Sequence, residues 1–496
     1  MNGLNLLGHY DYQNAVCLND SFYNPQDEVC IDKRLPITKT PLDRGYSREY
    51  KPAIGERRSG FDILVGCSSP NKEPDPPKFE NPDISLISKS GDERAGRNSH
   101  VPVLSLDGRY LAFTSWATDL IDDDDNKARD VFIYDHSNDS ITRASLSSDG
   151  EEANDDNAFP SISADGKFVS FTSAADNLVS HDTNDRYDIF VRDVEKKKTE
   201  RVNISSNGEE ANGDSYLSQI SADGRYVTFN SGSTNLVPFG TTGIDDVFVY
   251  DRQTKKISRT SISNEGWEAN GSSGAPSISG DGSLVVFGSW ADNLTSGDDS
   301  GYYDIFLRNL ATSATILVSA PPNTGQANGN SSLPNVSQDG QSIAFISQAS
   351  NLKSGDNSDW WKLFVADAEN GKYKKCSGLK IVESMDEIYG TKISETGFLS
   401  ITPKLSEDGK FVVFSSEEQL TADDSNDVED VYVCDTDNGD IKLVSRSTKG
   451  KEEINGGSKS PSISSDGSFI AFSACGDPCY YSDVFLAKNP LFKEGE

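Results

Sequence analysis

Short runs in which apolar and polar residues alternate recur along this chain in a fixed order. The clearest copy spans residues 160–193, PSISADGKFVSFTSAADNLVSHDTNDRYDIFVRD. An alternating run leads to an Asp-Gly pair at Asp165 and Gly166, a second run ends near Phe171, and a polar loop precedes a third run at 188–193. Period-two alternation bounded by turn residues predicts half-buried β-strands. The Asp-Gly pair returns at Asp107, Asp165, Asp223, Asp281, Asp339, Asp408 and Asp466, at spacings of 58, 58, 58, 58, 69 and 58 residues. Such a period predicts stacked copies of one supersecondary unit. It overrides a prior of about three domains from length alone.

Each unit reads as four short strands. The first follows Pro102, Pro160, Pro276, Pro334, Pro403 or Pro461, with Ser218 in the third unit; proline is tolerated where a strand begins. The Asp-Gly pair predicts a two-residue hairpin into the second strand. A serine stands two residues before each of these aspartates, placed to satisfy the turn backbone. The second strand carries Phe113, Phe171, Phe229, Phe287, Phe345, Phe414 and Phe472. The third carries Phe132, Phe190, Phe248, Phe306, Phe364, Tyr432 and Phe485. These rings are predicted core.

Residues 84–99 resemble only the end of a unit, and residues 461–490 supply only the first three strands. Together the fragments make one more unit. The predicted fold is all-β: a seven-bladed β-propeller whose last blade combines an N-terminal strand with three C-terminal ones. Stacking buries faces that no blade could bury alone. The predicted division is an irregular extension with a Pro-rich linker over 1–82, the propeller over 83–490 and a short tail over 491–496. A lone strand is expected at 61–65, FDILV.

The repeat resembles the WD40-like (TolB-type, PD40) propeller units of bacterial envelope and secreted proteins. The residues that carry the resemblance are the S-x-D-G-[KR] turn, the F-x-S end of the second strand and the N-L-V stretch at Asn177 and Asn235. The D-[IV]-F-V-x-D third strand and the G-E-E-A-N link at 150–154 and 208–212 complete it. The resemblance implies a propeller but no one activity, because the architecture hosts many. TolB-type units are shorter, and nothing here resembles the other domain of TolB.

The loop before the third strand is the candidate chemical site. It offers Asp124, Asn126 and Asp130 in the first unit and Asp182, Asn184 and Asp188 in the second. The sixth unit offers Asp424, Asn426 and Asp430, and the fourth a weaker set, Asp298, Ser300 and Asp304. Side-chain oxygens at i, i+2 and i+6, with backbone carbonyls between them, suit the six to eight oxygens that Ca²⁺ takes. The opposing reading is a solvated loop whose Asp and Asn side chains cap its own turns. The third unit has Gly240 and Thr242 in place of ligands. The fifth has Lys362 in place of the leading aspartate, an ammonium where the cation would sit, so both are expected to be metal-free. The seventh loop is six residues shorter and carries Cys475 and Cys479, an expected disulfide in place of a metal.

A net charge of −33 excludes most nucleic-acid binding, which needs basic residues to neutralise phosphate, and argues against docking on anionic lipid. No apolar run is long enough for a membrane-spanning helix. The first residues lack the basic and apolar regions of a signal peptide, yet two Met, abundant Ser, Asn, Asp and Gly, and clustered Cys point to an extracellular or envelope location. Seven cysteines leave at least one unpaired within the chain; Cys17 with Cys30 is the second expected bridge. The fifth unit is eleven residues longer than the others, with the excess near 378–398. The four histidines, 9, 100, 136 and 181, form no cluster in sequence, and no G-x-S-x-G elbow appears. The expected role is a non-catalytic, calcium-stiffened scaffold that binds a protein partner or, through its extension, self-associates into a homopolymeric filament. A periplasmic interaction module like the TolB propeller, and a hydrolase or lyase acting at the axis, are the alternatives.

Overall fold

The computed structural model describes residues 83–493 apart from 92, 239–242, 299–300, 322–324, 355–359, 383–400, 447–455 and 476–480, together with two short strands near the N-terminus. Those two, Ser21–Asn24 and Val29–Asp32, form an antiparallel hairpin within a separate unit that ends at Ser68. The expected strand at 61–65 lies outside the described residues.

The remainder is a ring of seven four-stranded antiparallel sheets. In the second blade the strands are Asn157–Ile162, Phe168–Ser173, Asp188–Asp193 and Lys198–Arg201, paired in chain order. The seventh blade joins Ser458–Ile463, Phe469–Cys475 and Ser482–Lys488 to Ile84–Leu86, with Ile84 opposite Ala487 and Leu86 opposite Phe485. The split blade is therefore as the repeat count requires. No α-helix occurs among the described residues, and no helix is long and apolar enough to cross a membrane.

Each blade carries its core on the second and third strands. Phe171 lies opposite Phe190 with ring centroids 5.9 Å apart, and the same stacked pair recurs in all seven blades, with Phe414 and Tyr432 in the sixth. These rings are buried. They form the layers between neighbouring sheets, which no isolated blade could exclude from water.

The turn between first and second strands differs from the expected two-residue hairpin. Five residues connect Leu104 to Tyr110, and of these only Gly108 has positive φ, at 69°. The Ser105 hydroxyl accepts the Tyr110 N–H at 2.9 Å and donates to Asp107, and the Asp107 carboxylate accepts the Arg109 N–H at 3.0 Å. The serine thus closes the turn, as expected of it. The glycine has a second reason. A Cβ on Gly166 would stand 2.1 Å from the Tyr110 ring of the preceding blade, so the turn is also the socket for a neighbouring aromatic.

Backbone hydrogen bonds tie these turns into a belt. Leu106 N–H donates to Ala164, Ala164 to Ala222, Ala222 to Gly280 and Gly280 to Gln338. Asp339 donates to Glu407, Glu407 to Ser465, and Asp466 back to Leu106, all at 2.8–3.1 Å. Closure of the ring therefore rests on this belt as well as on the shared seventh sheet.

The first strands line the axis and are buckled. Pairing shifts register between Ala158 and Ser161, and Phe159 has φ of 52°. Val101, Leu217, Ala275, Leu333 and Ser460 share that left-handed backbone. In five blades the proline thus sits within a bulge in mid-strand, whereas Pro403 of the sixth directly precedes its strand, Lys404–Leu405, as expected. A bulge leaves a residue out of the ladder, where a missing N–H is tolerated. Left-handed backbone at the β-branched Val101 is strained.

Candidate functional site

In the first two blades the third strand begins at Asp130 or Asp188, at the end of the acidic loop, and the fourth strand ends at Arg143 or Arg201, on the adjacent strand and facing back into that loop. The Arg201 guanidinium lies 2.8 Å from Asp182, 3.0 Å from Asp188 and 2.9 Å from Glu210, and donates to the His181 carbonyl. Arg143 makes the same set more loosely, at 3.5 Å from Asp124, 3.9 Å from Asp130 and 2.8 Å from Glu152. In the third blade Arg259 pairs with Asp246 at 3.4 Å and Glu268 at 3.0 Å. The space between the carboxylates in these blades is filled by a guanidinium on the chain's own fourth strand.

In the first and second units, where the loop spacing leads one to expect calcium, an arginine stands among the carboxylates. Asp124, Asp130, Asp182 and Asp188 converge as the spacing required, but onto arginine. Asn126 and Asn184 are engaged within their own loops. Each Oδ1 accepts the backbone N–H two residues on, from Ala128 or Arg186, and each Nδ2 donates to the leading aspartate. The turn-capping reading holds for both. Among the described residues no group of three or more His, Cys, Asp or Glu is arranged to hold a metal.

The leading aspartate also accepts a buried side chain fifteen residues on: Ser145 for Asp130, Asn203 for Asp188, Ser261 for Asp246, Ser319 for Asp304 and Ser445 for Asp430. Asn203 is thereby buried and engaged. Burial, the largest influence, raises the carboxyls of Asp130, Asp182 and Asp246 to about 6 against the pull of the arginines. Burial opposes the charge on Arg201, but Asp188, Asp182 and Glu210 outweigh it and the guanidinium is held more firmly protonated.

The other blades diverge. The position of Arg143 is Leu317 in the fourth blade and Leu443 in the sixth. In the fourth, Asp298 and Asp304 are buried, while Ser300 lies outside the described residues. In the sixth, Asp424 and Asp430 are buried, and the Tyr432 hydroxyl donates to Asp424 from a core position that is phenylalanine elsewhere. The Asn426 Oδ1 accepts the Val428 N–H. In the fifth blade Lys362 is buried where an aspartate leads the other third strands. Gly240 and Thr242 of the third lie outside the described residues. In the seventh, Arg94 reaches Asp483 from the link that supplies Glu152 and Glu210 elsewhere.

Sequence reasoning passed over these arginines. The signal was present: Arg143, Arg201 and Arg259 each stand thirteen residues after the leading aspartate and nine before a glutamate of the link. It also passed over a disulfide between Cys376 and Cys434, with Cα atoms 6.2 Å apart and a separation of 58 residues. The bridge staples the fifth blade to the sixth. Cys475 is disulfide-bonded, with its partner outside the described residues. Cys17, Cys67 and Cys479, the side chain of Cys30 and residues 383–400 of the long fifth unit also lie outside them.

The second feature of interest is the axial cavity. About 60 Å³ of space, open toward solvent, lies among the first strands of all seven blades. Its walls are Val101, Phe159, Leu217, Leu333, the prolines and a few small or polar residues, with one ionisable side chain, Lys404. On the inner strands nearby, His100 packs against Trp116, with centroids 5.9 Å apart, and Arg129 stacks 4.7 Å from the same ring. Burial, aided by Lys459 and Arg129, lowers His100 to about 4. Glu429 accepts from Ser415, and burial raises its carboxyl to about 7.

No family model and no curated protein sequence matches this chain. Solved structures do. An oligogalacturonate lyase from Vibrio parahaemolyticus is 13% identical with a TM-score of 0.49, over 82% of this chain and 94% of that one. The β-propeller domain of the Trilobed protease from Pyrococcus furiosus is 14% identical with a TM-score of 0.47, over 81% and 95%. TolB from Acinetobacter baumannii is 15% identical with a TM-score of 0.37, over 70% and 63%. The chain's own strand pairing makes it a seven-bladed β-propeller.

Proposed function

We propose that this protein is a non-catalytic, envelope-exposed or extracellular propeller that serves as an interaction scaffold for another protein. The observation that carries the reading is the axial cavity. An enzyme acting there would need acids, bases or ligands converging on one point, and the described walls offer prolines, aliphatic groups and a single lysine. The acidic loops support it too, because in the first three blades their carboxylates are engaged with arginine in holding the blade together. Calcium is confined in this reading to the fourth and sixth blades, where leucine replaces that arginine. The test is a cross-linking pull-down with the full chain as bait, repeated with a variant altered at the exposed Trp267 and Trp360. A partner lost on replacing these rings supports the scaffold. Turnover of an oligosaccharide or lactone panel by the wild type would overturn it.

One observation favours a second reading. Glu429 is a buried carboxyl poised near neutrality, as a general acid requires. If the chain is a hydrolase or lyase, Glu429→Gln abolishes that turnover without lowering the melting temperature.

A further inference from the structure

In four blades the residue at the position after the inner-strand proline has the same task. Ser161 accepts the Ile220 N–H, Ser277 the Val336 N–H and Ser462 the Leu104 N–H, while the amide oxygen of Asn335 accepts the Leu405 N–H, all at 2.9–3.2 Å. Each links one inner strand to the next. In the sixth blade the position is Lys404, which has no acceptor to offer. The sixth blade, like the first with its Val103, lacks that interblade hydrogen bond, and it alone places an amine beside the axial cavity.

That amine stands alone. Among the described residues it has no hydrogen-bond or ion-pair partner, and it is the one ionisable group in the cavity wall. Packed deep in the ring yet open to the cavity, it has its proton affinity pushed down to about 8 by burial alone. Desolvation disfavours its charged form, and an anion beside it would favour that form. The rest of the molecule is strongly acidic, so a polyanion is repelled on approach, and one cation neutralises one charge. The cavity volume holds about four waters, and the Pro, Val, Leu and Phe walls suit an apolar body.

We propose that the axial cavity binds a small aliphatic monocarboxylate, with Lys404 as the anchor of its carboxylate and the collar of inner-strand residues as the seat of its chain. This inference stands apart from the scaffold reading: a ligand site at the axis can exist whether or not the rim binds a protein.

The test uses the full chain labelled with [¹³Cε]-lysine, with Lys404 assigned from the signal missing in Lys404→Arg, and butyrate as the probe. The expected result is a Lys404 signal that titrates near 8 without ligand. Saturating butyrate moves that midpoint up by a unit or more, so the protonated form binds at least tenfold more tightly than the neutral one. Butanol leaves it in place, and Lys404→Met abolishes butyrate binding in calorimetry. A Lys404 that titrates with the surface lysines near 10 would show the cavity filled by other parts of the chain or by bulk water, and would overturn the proposal. So would a signal unmoved by tens of millimolar butyrate. The wild-type titration decides the matter even if Lys404→Met fails to fold.

Discussion

The first three blades and the pair formed by the fourth and sixth share one backbone plan and treat the same electrostatic problem differently. In both groups an aspartate is buried at the head of the third strand, where an uncompensated carboxylate costs several kcal/mol. The first three blades answer with an arginine from the fourth strand and a glutamate from the link. The sixth has leucine at the arginine position and a tyrosine hydroxyl on Asp424. The seventh draws its arginine from the link. A repeat therefore conserves the location of a buried charge more strictly than the source of its partner. A loop rich in Asp and Asn cannot be read as a metal site until the strands beside it have been searched for a built-in cation.

The sharpest way to break this comparison is to give the second blade the leucine of the fourth. Arg201→Leu leaves Asp182, Asp188 and Glu210 without their shared cation. Removing one partner of a buried ion cluster costs about 3–5 kcal/mol, so urea unfolding should show a loss of that size at pH 7.5. Millimolar calcium should restore part of it in the variant and none in the second blade of the wild type. A loss under 1 kcal/mol would mean that the guanidinium is a bystander.

Next in size is the staple between the fifth and sixth blades. Replacing Cys376 and Cys434 together by serine should cost about 2–4 kcal/mol, as expected for a bridge closing a loop of this length. Free-thiol counting of the native protein checks that the bridge forms. An unchanged melting temperature after reduction would show that interblade packing alone holds the junction.

A smaller effect should separate the two groups by chelation. If calcium occupies the sixth blade, stability at a concentration tenfold above Kd rises by about 1.4 kcal/mol. Scanning calorimetry with and without EDTA reads this difference, and Asp424→Asn should erase it. Chelator sensitivity that survives Asp424→Asn and Asp298→Asn would place the ion elsewhere.

Most of the fold was legible because its determinants are local and repeated. The Ser-x-Asp-Gly turns, the paired aromatics and the fragments at the two ends gave blade count, strand order and closure. Local pattern did not reveal the bulge at Pro102 and its equivalents, because a mid-strand left-handed residue leaves no mark on alternation. The acidic site was half legible. Spacing brought Asp182 and Asp188 together correctly, but their partner Arg201 is on another strand, and a single positive charge carries no motif. The Cys376–Cys434 bridge was missed because it joins a loop after the third strand of one blade to the third strand of the next, a contact set by the ring and not by one unit. The axial Lys404 became visible only against six neighbours at its own position.

The smallest effect is a stability profile tilted toward acid, and it tests whether burial or pairing dominates the clusters. Burial raises Asp130, Asp182, Asp246 and Asp483 to about 6 and Glu429 to about 7. Unfolded carboxyls titrate near 4. Between about pH 4 and pH 7 the folded state therefore binds more protons than the unfolded one, and stability falls as pH rises through that window. Asp135, drawn down to about 2 by the hydrogen bond from Arg109, acts in the opposite sense below pH 4, but it sits near the surface where solvent screens the pair. The melting temperature should accordingly peak near pH 4 and drop by a few degrees toward pH 7.5. Glu429→Gln should flatten the upper part of the slope, because its carboxyl is the last of the five to ionise. A melting temperature that climbs steadily from pH 4.5 to 7.5 would mean that the arginines hold these carboxylates ionised throughout, and that pairing, not burial, sets their state.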